Sequence, residues 1–444
     1  MRDPDTFFAE KNPVGILQDL ICFDTTNPPG NEGPCIEYIR RLLENAGIPT
    51  QIIAKNENRP NLIARIAGDN TAPPLLLYGH VDVVTANSQT WQYPPFEGRM
   101  VNGYVWGRGA LDMKGGLAMM VSAMLRLARE ERSPAGDIVF AAVSDEESGG
   151  IHGARFLVEN YPELFAGIRY AIGEFGGASM DFGGRRFYPI QVSEKQVCSI
   201  RATARGMGGH GSMPIHGGAM GTIGKLLCIL DRRSLPVRIT PTARQMINTI
   251  SKNTGFPYNT ILKQLLNPQL TDTALFLMGP KSRNFRPLLR NTVSPTMIQG
   301  GHKINVIPSE VILHMDGRMV PGCTPEELIE EVRRLTNGRI ALEVLRYEPG
   351  PPEPDMSMFG LLSDVIRSAD PGGIAVPLLL PGVTDARFFS RLGIQTYGFT
   401  PLKLPRDFDY FTFIHNADER VPGNAVKFGA NTVHDLLCRY GRAG

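Results

Sequence analysis

The stretch PPLLLYGHVDVV, residues 73–84, is apolar on both faces of a β-strand and carries the polar residues His80 and Asp82 near its end. A strand with two apolar faces is typical of a mostly parallel sheet covered by helices on both sides. GGLAMMVSAMLRLARE (115–130) then predicts a helix, and DIVFAAVS (137–144) predicts a second buried strand. This alternation of strands and helices indicates an α/β fold.

The pattern changes near residue 190. KQVCSIRATARG (195–206) and EVILHMDGRMV (310–320) predict half-exposed strands, and TPEELIEEVRRLT (324–336) predicts a helix. We therefore expect a small α+β domain over residues 196–352, with a partly helical insertion near 236–290. It interrupts a larger α/β domain formed by residues 1–195 and 353–444.

Composition excludes several classes of protein. The chain has 444 residues and a formal net charge of +2, which argues against a general electrostatic grip on nucleic acid. Its six cysteines form no Cys-x-x-Cys motif, which favours free thiols in a reducing compartment. The sequence contains neither a recognisable signal peptide nor a run of about 18 apolar residues. We expect a cytoplasmic protein without a membrane partner.

Acids and histidines follow several of the predicted strands. Each has an ordinary interpretation alone: a hydrogen-bonded His-x-Asp pair, a helix N-cap or a solvated loop. Together they are more informative, because the carboxyl ends of strands in an open α/β sheet share one edge, where ligands bind. Two imidazoles and several carboxylates suit Zn²⁺. The residues in question are His80, Asp82, Asp112, Glu146, Glu147, Glu174 and His415.

The run VSDEESGG, residues 143–150, places three acids side by side, although like charges repel. A metal centre resolves the repulsion. In such a centre, three ligand carboxylates drawn from all the acids at this edge of the sheet carry about −3, and two zinc ions carry about +4. One bridging hydroxide then brings the cluster near neutrality.

Five stretches occur in a characteristic order: GHVDVV (79–84), GRGALDMKGG (107–116), SDEESGG (144–150), GEFGG (173–177) and HNADERVP (415–422). They resemble the signature stretches of the dinuclear-zinc aminoacylase, carboxypeptidase and succinyl-diaminopimelate desuccinylase family, over nearly the whole chain. The resemblance implies a zinc-peptidase-like catalytic domain, and it makes the inserted domain a lid or dimerisation domain.

The resemblance also implies roles for individual residues. His80 and Glu174 bind the first zinc ion, Glu147 and His415 bind the second, and Asp112 bridges the two. Asp82 orients the imidazole of His80 from behind. Glu146 is the general base that takes a proton from the metal-bound water and returns it to the leaving amine. The resemblance assigns no role to Asp145.

Four further residues concern the substrate. His210, in ARGMGGHGSMP, corresponds to a histidine that stabilises the oxyanion, commonly from the other subunit of a dimer. Asn305 and Arg318 resemble residues that hold the substrate near its free carboxylate. Thr384, in LPGVTDARFF, matches a substrate contact. Without the resemblance, these would be a turn histidine, a turn asparagine and a surface arginine.

The sequence therefore predicts a dinuclear zinc hydrolase that cleaves an amide or peptide bond next to a free α-carboxylate through a metal-bound hydroxide. An N-acyl-amino-acid hydrolase or a carboxypeptidase or dipeptidase is favoured, since SEKQ (193–196) and the long insertion resemble the carboxypeptidase S-like branch. The alternatives are a succinyl-diaminopimelate desuccinylase or acetylornithine deacetylase-like deacylase, an aminopeptidase that recognises a free α-amine, and a non-catalytic metal-binding protein on the same fold.

The expected partners follow from this family. They are two Zn²⁺ ions per subunit, with Co²⁺ or Mn²⁺ as alternatives, a small N-acyl amino acid or short peptide as substrate, and a second copy of the chain bound through the lid domain. No nucleic acid is expected.

Overall fold

The computed structural model describes residues 12–336, 338, 340–351 and 353–442. They form two compact units. The first takes in the described parts of residues 1–192, 355–378 and 384–444, and the second those of 193–354 and 379–383. The six cysteines all lie within the described residues, and every one is a free thiol.

The strands are numbered in chain order. They are β1 (Thr50–Ala54), β2 (Pro60–Ile66), β3 (Leu75–His80), β4 (Arg99–Val101), β5 (Tyr104–Trp106), β6 (Ile138–Val143), β7 (Tyr170–Gly173), β8 (Met180–Phe182), β9 (Arg185–Glu194), β10 (Gln196–Arg205), β11 (Gly209–His210), β12 (Thr292–Gln299), β13 (Val306–Ile307), β14 (Glu310–Met319), β15 (Ala341–Glu348), β16 (Gly373–Leu380), β17 (Gln395–Gly398) and β18 (Arg420–Pro422).

The α-helices are numbered in the same way, and none in the described ranges is long and apolar enough to cross a membrane. They are α1 (Pro13–Ile21), α2 (Gly33–Glu44), α3 (Lys114–Leu127), α4 (Ala154–Asn160), α5 (Ala219–Arg232), α6 (Pro241–Asn253), α7 (Tyr258–Gln264), α8 (Thr271–Leu277), α9 (Pro325–Thr336), α10 (Phe359–Ala369), α11 (Ala386–Phe389), α12 (Tyr410–Phe413) and α13 (Gly423–Arg439).

The central sheet of the first unit has the strand order β1-β2-β6-β3-β7-β17-β9-β16, with β8 paired to β9. Its middle strands β6, β3, β7 and β17 run parallel, whereas β1, β2 and β9 pair in the antiparallel sense. The expected α/β fold with a mostly parallel central sheet is confirmed. Because β3 and β6 are parallel, His80 is level with Val143. The next residues, 144–150, contain the three adjacent acids, and we call this segment the acidic turn.

Both faces of this sheet are covered, as the doubly apolar strands require. Alternate residues of β3 enter different hydrophobic clusters: Leu75 and Leu77 lie in one, and Leu76 and Tyr78 in the other. Helices α3 and α13 pack together on the first side. Because α3 is enclosed by neighbours, nearly every residue along it is buried. The packed sheet thereby fixes the strand ends that carry the polar residues.

The second unit contains a four-stranded antiparallel sheet in the order β12-β14-β10-β15. Helix α5 packs on β10 and β14, and α9 packs on β15. The insertion near 236–290 is helical and contains α6, α7 and α8 followed by two short 3₁₀ segments. Strand β12 is mostly exposed along its length.

Some elements differ from the sequence expectation. The small sheet β18-β5-β4 was not expected, because strands of three residues show no measurable alternation. The stretch IHGARFLVEN (151–160) predicts a helix, but α4 begins only at Ala154, because Gly153 has φ −108° and ψ −126°, outside the helical region.

Candidate metal centre and active site

The site begins at the end of β3. Nδ1 of His80 lies 2.9 Å from the backbone oxygen of Asp82 and 3.5 Å from the carboxylate of Asp82. A hydrogen bond from Nδ1 leaves Nε2 as the imidazole nitrogen with a lone pair for a ligand. Both side chains are buried. The backbone carbonyl thus does most of the orienting that sequence analysis assigned to the Asp82 carboxylate.

The carboxylate of Asp82 mainly holds the acidic turn. It accepts hydrogen bonds from the backbone nitrogens of Glu146 and Glu147, at 3.1 and 3.2 Å. Asn27 donates a third, at 2.8 Å. Asp82 therefore ties the end of β3 to the segment that follows β6.

The Asp145 carboxylate is bound by other protein groups and belongs to neither of the two groups of predicted metal ligands. Its carboxylate forms an ion pair with Arg59 at 2.9 Å and accepts hydrogen bonds from Asn27 and from the backbone nitrogen of His152, both at 3.1 Å. Its φ of +69° turns the chain sharply at the strand end, a conformation that aspartate tolerates better than most residues. The third acid of the run therefore shapes and anchors the turn.

Asp112 lies in the loop before α3, and Glu419 holds that loop. The buried carboxylate of Glu419 accepts hydrogen bonds from the backbone nitrogens of Gly109, Leu111 and Asp112, at 3.2, 2.7 and 3.2 Å. Arg108 donates to the same carboxylate at 2.8 Å. A buried charge that satisfies several donors gives the loop a single defined position.

The side chains predicted to bind metal form two groups that share Asp112. Nε2 of His80 lies 3.1 Å from Asp112 Oδ1 and 3.3 Å from Glu174 Oε2. Nε2 of His415 lies 3.2 Å from the other oxygen of Asp112, Oδ2, and 3.3 Å from Glu147 Oε1. Each group brings three candidate ligand atoms together, so one carboxylate spans both.

These distances fit two metal ions. Tetrahedral ligands with bonds of roughly 2.0–2.1 Å to zinc lie about 3.3 Å apart, close to the spacings above. Both oxygens of Glu174 are buried and accept no hydrogen bond from the described residues. A buried carboxylate without donors is costly unless a cation compensates it. The donor set and its geometry therefore fit metal binding.

The electrostatics of the cluster point the same way. Burial raises the pKa of Glu174 to about 7, although His80 opposes the shift. Hydrogen bonds to Asp112 and Glu147 raise the pKa of the His415 imidazole to about 10. Burial and the charge of Glu174 raise the pKa of Glu146 well above its ordinary value. A concentration of acids in a buried site favours positive charge there.

Residues 76–439 match the sequence model of peptidase family M20/M25/M40. The chain belongs to this family. An N-fatty-acyl-amino acid synthase/hydrolase from Mus musculus is 28% identical over 414 residues, which cover 88% of this chain and 80% of the relative. A probable carboxypeptidase S-like protein from Dictyostelium discoideum is 27% identical over 379 residues, 80% of this chain and 69% of the relative.

Solved structures share the fold. An M20 family metallo-carboxypeptidase from Sulfolobus solfataricus superposes with a TM-score of 0.69 at 16% identity, covering 97% of this chain and 99% of that one. A dinuclear metal-binding M20 peptidase from Bacillus subtilis gives 0.59 at 15% identity, with 98% of both chains covered. The family predicted from five short stretches is confirmed, and as a family member the chain is a hydrolase of amide or peptide bonds.

A third group of metal-capable side chains lies between α13 and the end of α3. Nε2 of His434 is 2.7 Å from Glu130, and Sγ of Cys438 lies within 3.5–3.7 Å of both residues. Arg126 points its guanidinium at Nδ1 of His434 at 3.2 Å. The guanidinium donates to Nδ1, so the proton lies on Nε2 and is donated to Glu130. This group is a hydrogen-bonded tie between α13 and the residues that follow α3.

The remaining predicted residues, apart from Thr384, belong to the second unit. His210 is exposed on β11, and its Nδ1 lies 2.7 Å from Oγ of Ser212. The backbone oxygen of Asn305 accepts a hydrogen bond from the backbone nitrogen of Gly211, the residue after His210. His210 and Asn305 therefore lie close together. Arg318 lies on β14 and pairs with Asp316 at 2.9 Å.

Asn305 and Arg318 are not neighbours within the unit. Asn305 precedes Glu310, where β14 begins, and Arg318 is close to the far end of that strand. At about 3.3 Å per residue, roughly 26 Å of strand separates Glu310 from Arg318. The two residues expected to act as a pair therefore lie at opposite ends of the unit.

Several residues that lie near the centre were not predicted from the sequence. Glu419 and Asn27 gave no signal, because their role rests on contacts with residues far away in sequence. Asp385 follows the predicted substrate contact Thr384, whose own hydroxyl accepts a hydrogen bond from the backbone of Ala386 at 3.1 Å. Burial raises the pKa of Asp385 to about 8, although the Arg387 guanidinium opposes the shift. The acid directly after Thr384 in VTDARFF (383–389) was the available signal.

Proposed function

We propose that this protein is a dinuclear zinc hydrolase that removes an amino acid from an N-acyl amino acid or a short peptide. The observation that carries the proposal is the sharing of Asp112 by two groups of ligand atoms, one oxygen toward each imidazole. A carboxylate that spans two imidazole-containing groups suits a pair of metal ions bridged by that carboxylate.

The metal ligands proposed are His80, Asp112 and Glu174 for one ion and Asp112, Glu147 and His415 for the other. Mixed imidazole and carboxylate donors favour zinc, and Co²⁺ or Mn²⁺ are alternatives. When bound, such ions supply Lewis acidity and lower the pKa of water. Asp82 and its backbone carbonyl fix the His80 imidazole, and Glu419 fixes the Asp112 loop.

Glu146 is the proposed general base. It directly precedes the proposed ligand Glu147 in a 3₁₀ turn, so neighbouring side chains leave the backbone in different directions. Its raised pKa suits a carboxylate that accepts a proton from water and then delivers it to the leaving nitrogen. The net reaction adds one water molecule across the amide and releases a carboxylic acid and an amine.

The substrate is proposed to carry a free α-carboxylate. Arg318 offers a planar guanidinium for it, Asn305 offers an amide, and His210 is the proposed oxyanion donor. Thr384 stays a predicted substrate contact. The mouse relative acts on N-fatty-acyl amino acids by its name, which supports an N-acyl-amino-acid hydrolase over a desuccinylase or acetylornithine deacetylase-like enzyme.

We also propose a homodimer, through the second unit. His210 and Asn305 lie together at one end of that unit, whereas Arg318 lies toward the other end of β14. If all three contact one substrate, a second copy of the chain must supply part of the set. The exposed strand β12 and the exposed side chains of Met297 and Ile298 offer a surface for that copy. A cytoplasmic location stays a prediction.

The test is a screen of N-acyl amino acids and dipeptides with zinc-loaded protein, each paired with its α-carboxamide. Hydrolysis of the acids and loss of turnover with the carboxamides are expected. Equal turnover of both would favour an aminopeptidase that recognises the α-amine.

The base is tested by Glu146→Gln, which should lower kcat by about 10²–10⁴-fold while the protein still binds two metal ions. Glu159→Gln, at an exposed position on α4, is the matched control and should keep full activity. Full activity of Glu146→Gln with metal bound would assign the proton transfers to another group.

A further inference from the structure

The helical insertion in the second unit carries a charge that the rest of the chain does not share. Residues 236–290 contain eight of the 46 lysines and arginines but only one of the 44 acids, Asp272. That acid is paired with the buried Arg290, at 2.6 Å. Arg238 is paired with Glu327 and Glu331 of α9. The exposed cations of the insertion are Arg244, Lys252, Lys263, Lys281, Arg283 and Arg286.

The same segment exposes large apolar side chains. Phe256 is 85% exposed, Phe276 82%, Leu277 64% and Leu270 41%. The segment nevertheless has a proper interior, formed by Ile247, Ile250, Leu262, Leu265 and Leu275, each at most 2% exposed. The outward-facing residues are therefore not part of its core, and several large exposed apolar side chains in one segment are typical of an interaction surface.

A contact between Tyr258 and Lys281 brings two parts of the insertion together. Nζ of Lys281 lies 4.7 Å from the centre of the Tyr258 ring. Phe256 is two residues before Tyr258, and Leu277 is four residues before Lys281. Helix α7 also packs against α8. The exposed Phe256 and Leu277 therefore lie in segments that Tyr258 and Lys281 hold together. We call the exposed apolar and cationic side chains of residues 244–286 the basic apolar surface.

We propose that the basic apolar surface docks on an anionic lipid bilayer. Phenylalanine and leucine side chains enter the boundary between headgroups and acyl chains, and lysine and arginine contact anionic headgroups. This mode of binding needs no membrane-spanning segment. It revises the expectation of no membrane partner, which rested on the absence of a spanning run from the sequence.

The charge pattern favours a lipid surface over other occupants. Two copies of a segment with eight cations and one acid would repel if these surfaces met. Nucleic acid would also attract the cations, but Leu270 and Leu277 offer no stacking surface for bases, whereas they suit acyl chains.

The test is sedimentation of the full-length, metal-loaded protein with vesicles at about 0.1 M salt, where the Debye length is about 10 Å. Vesicles of phosphatidylserine and phosphatidylcholine should bind it, and pure phosphatidylcholine vesicles should bind it at least tenfold less. Higher salt should release it. Equal binding to both vesicles, or no binding to either, would overturn the proposal.

Two variants locate the surface. Phe256→Ser with Phe276→Ser, and Lys252→Glu with Lys263→Glu, should each weaken binding roughly tenfold or more without changing turnover of a small soluble substrate. Ile52→Ser with Lys55→Glu, at exposed positions on and beside β1, is the matched control and should bind like the parent. Retained vesicle binding by both insertion variants would overturn the proposal, as would binding to duplex DNA with none to vesicles.

Discussion

At the scale of single residues, the acidic turn illustrates what spacing alone can predict. The ligand and base roles proposed for Glu147 and Glu146 rest on residues adjacent in sequence and on their resemblance to a family. The role of Asp145 depends on Arg59 and Asn27, which come from elsewhere in the chain. Partners of that kind become visible only when the fold brings them together, and Glu419 was missed for the same reason.

Glu419 supplies the first residue-scale prediction. Glu419→Gln removes the charge that organises three backbone N–H groups and Arg108 around the Asp112 loop. Because Asp112 is the proposed bridge, zinc affinity should fall about 10–100-fold. Titration against a competing chelator measures it. Asp435→Asn, at a half-exposed position on α13, should leave the affinity unchanged. Unchanged affinity in Glu419→Gln would remove this positioning role.

The buried side chain of Lys195 should make the stability of the protein depend on pH. It is buried with Nζ 3.2 Å from Thr292 Oγ1, and burial, with the nearby charges of Arg318 and Arg290, lowers its pKa from 10.5 to about 7. Between pH 7 and 10.5 the unfolded chain holds a proton that the folded chain has released, so stability rises with pH in that window. Below pH 7 the full cost of the buried charge is present.

Lys195→Met should remove this dependence. Relative to the variant, the wild-type free energy of unfolding should rise by up to about 1.4 kcal/mol per pH unit between pH 7 and 10. Urea denaturation across that range measures the difference. Lys55→Met, at an exposed position, should track the wild type at every pH. Parallel curves for wild type and Lys195→Met would mean that Lys195 titrates normally.

At the scale of elements, long periodic segments were predictable. Strands β3 and β6 and helix α3 were found because their apolar residues recur over many positions. The three-residue strands β4, β5 and β18 were not, because so short a run carries no period. The proposed metal ligands were located at strand ends by the same logic, whereas the exact direction of each side chain depends on turns such as the one at Asp145.

Gly153 supplies an element-scale prediction. A Cβ atom at Gly153 would lie 1.7 Å from the backbone oxygen of Ser144, the residue that opens the acidic turn. Gly153→Ala should therefore destabilise the protein by about 1–3 kcal/mol or more and lower activity, because helix α4 must move away from the turn. Urea denaturation and turnover measure the two effects.

The matched control is Gly221→Ala in α5, where no atom lies within 4 Å of the added methyl group. It should stabilise the protein by about 0.5–1 kcal/mol, since alanine loses less backbone entropy than glycine in a helix. If both alanine variants behaved alike, the close approach at Gly153 would not be what holds the turn.

At the scale of the whole molecule, the proposed dimer can be tested by subunit exchange. His210→Ala and Glu146→Gln should each be nearly inactive alone. If His210 acts on the substrate of the other subunit, a hybrid dimer has one site with both groups intact. An equal mixture should then recover about a quarter of wild-type activity, because half the dimers are hybrids with one working site. No recovery after verified exchange would place His210 and Glu146 in the same subunit's site.

The order of the proposed ligands along the chain has a consequence for biosynthesis. His80, Asp112 and Glu174 are all translated before the second unit, whereas His415 and the loop anchor Glu419 come after it. A nascent chain can therefore bring one group of proposed ligands together early but cannot complete the other until residue 415 has been translated. The second unit, encoded between them, is made before the centre is whole. The proposed second metal site therefore cannot guide the folding of the segments that are translated before it.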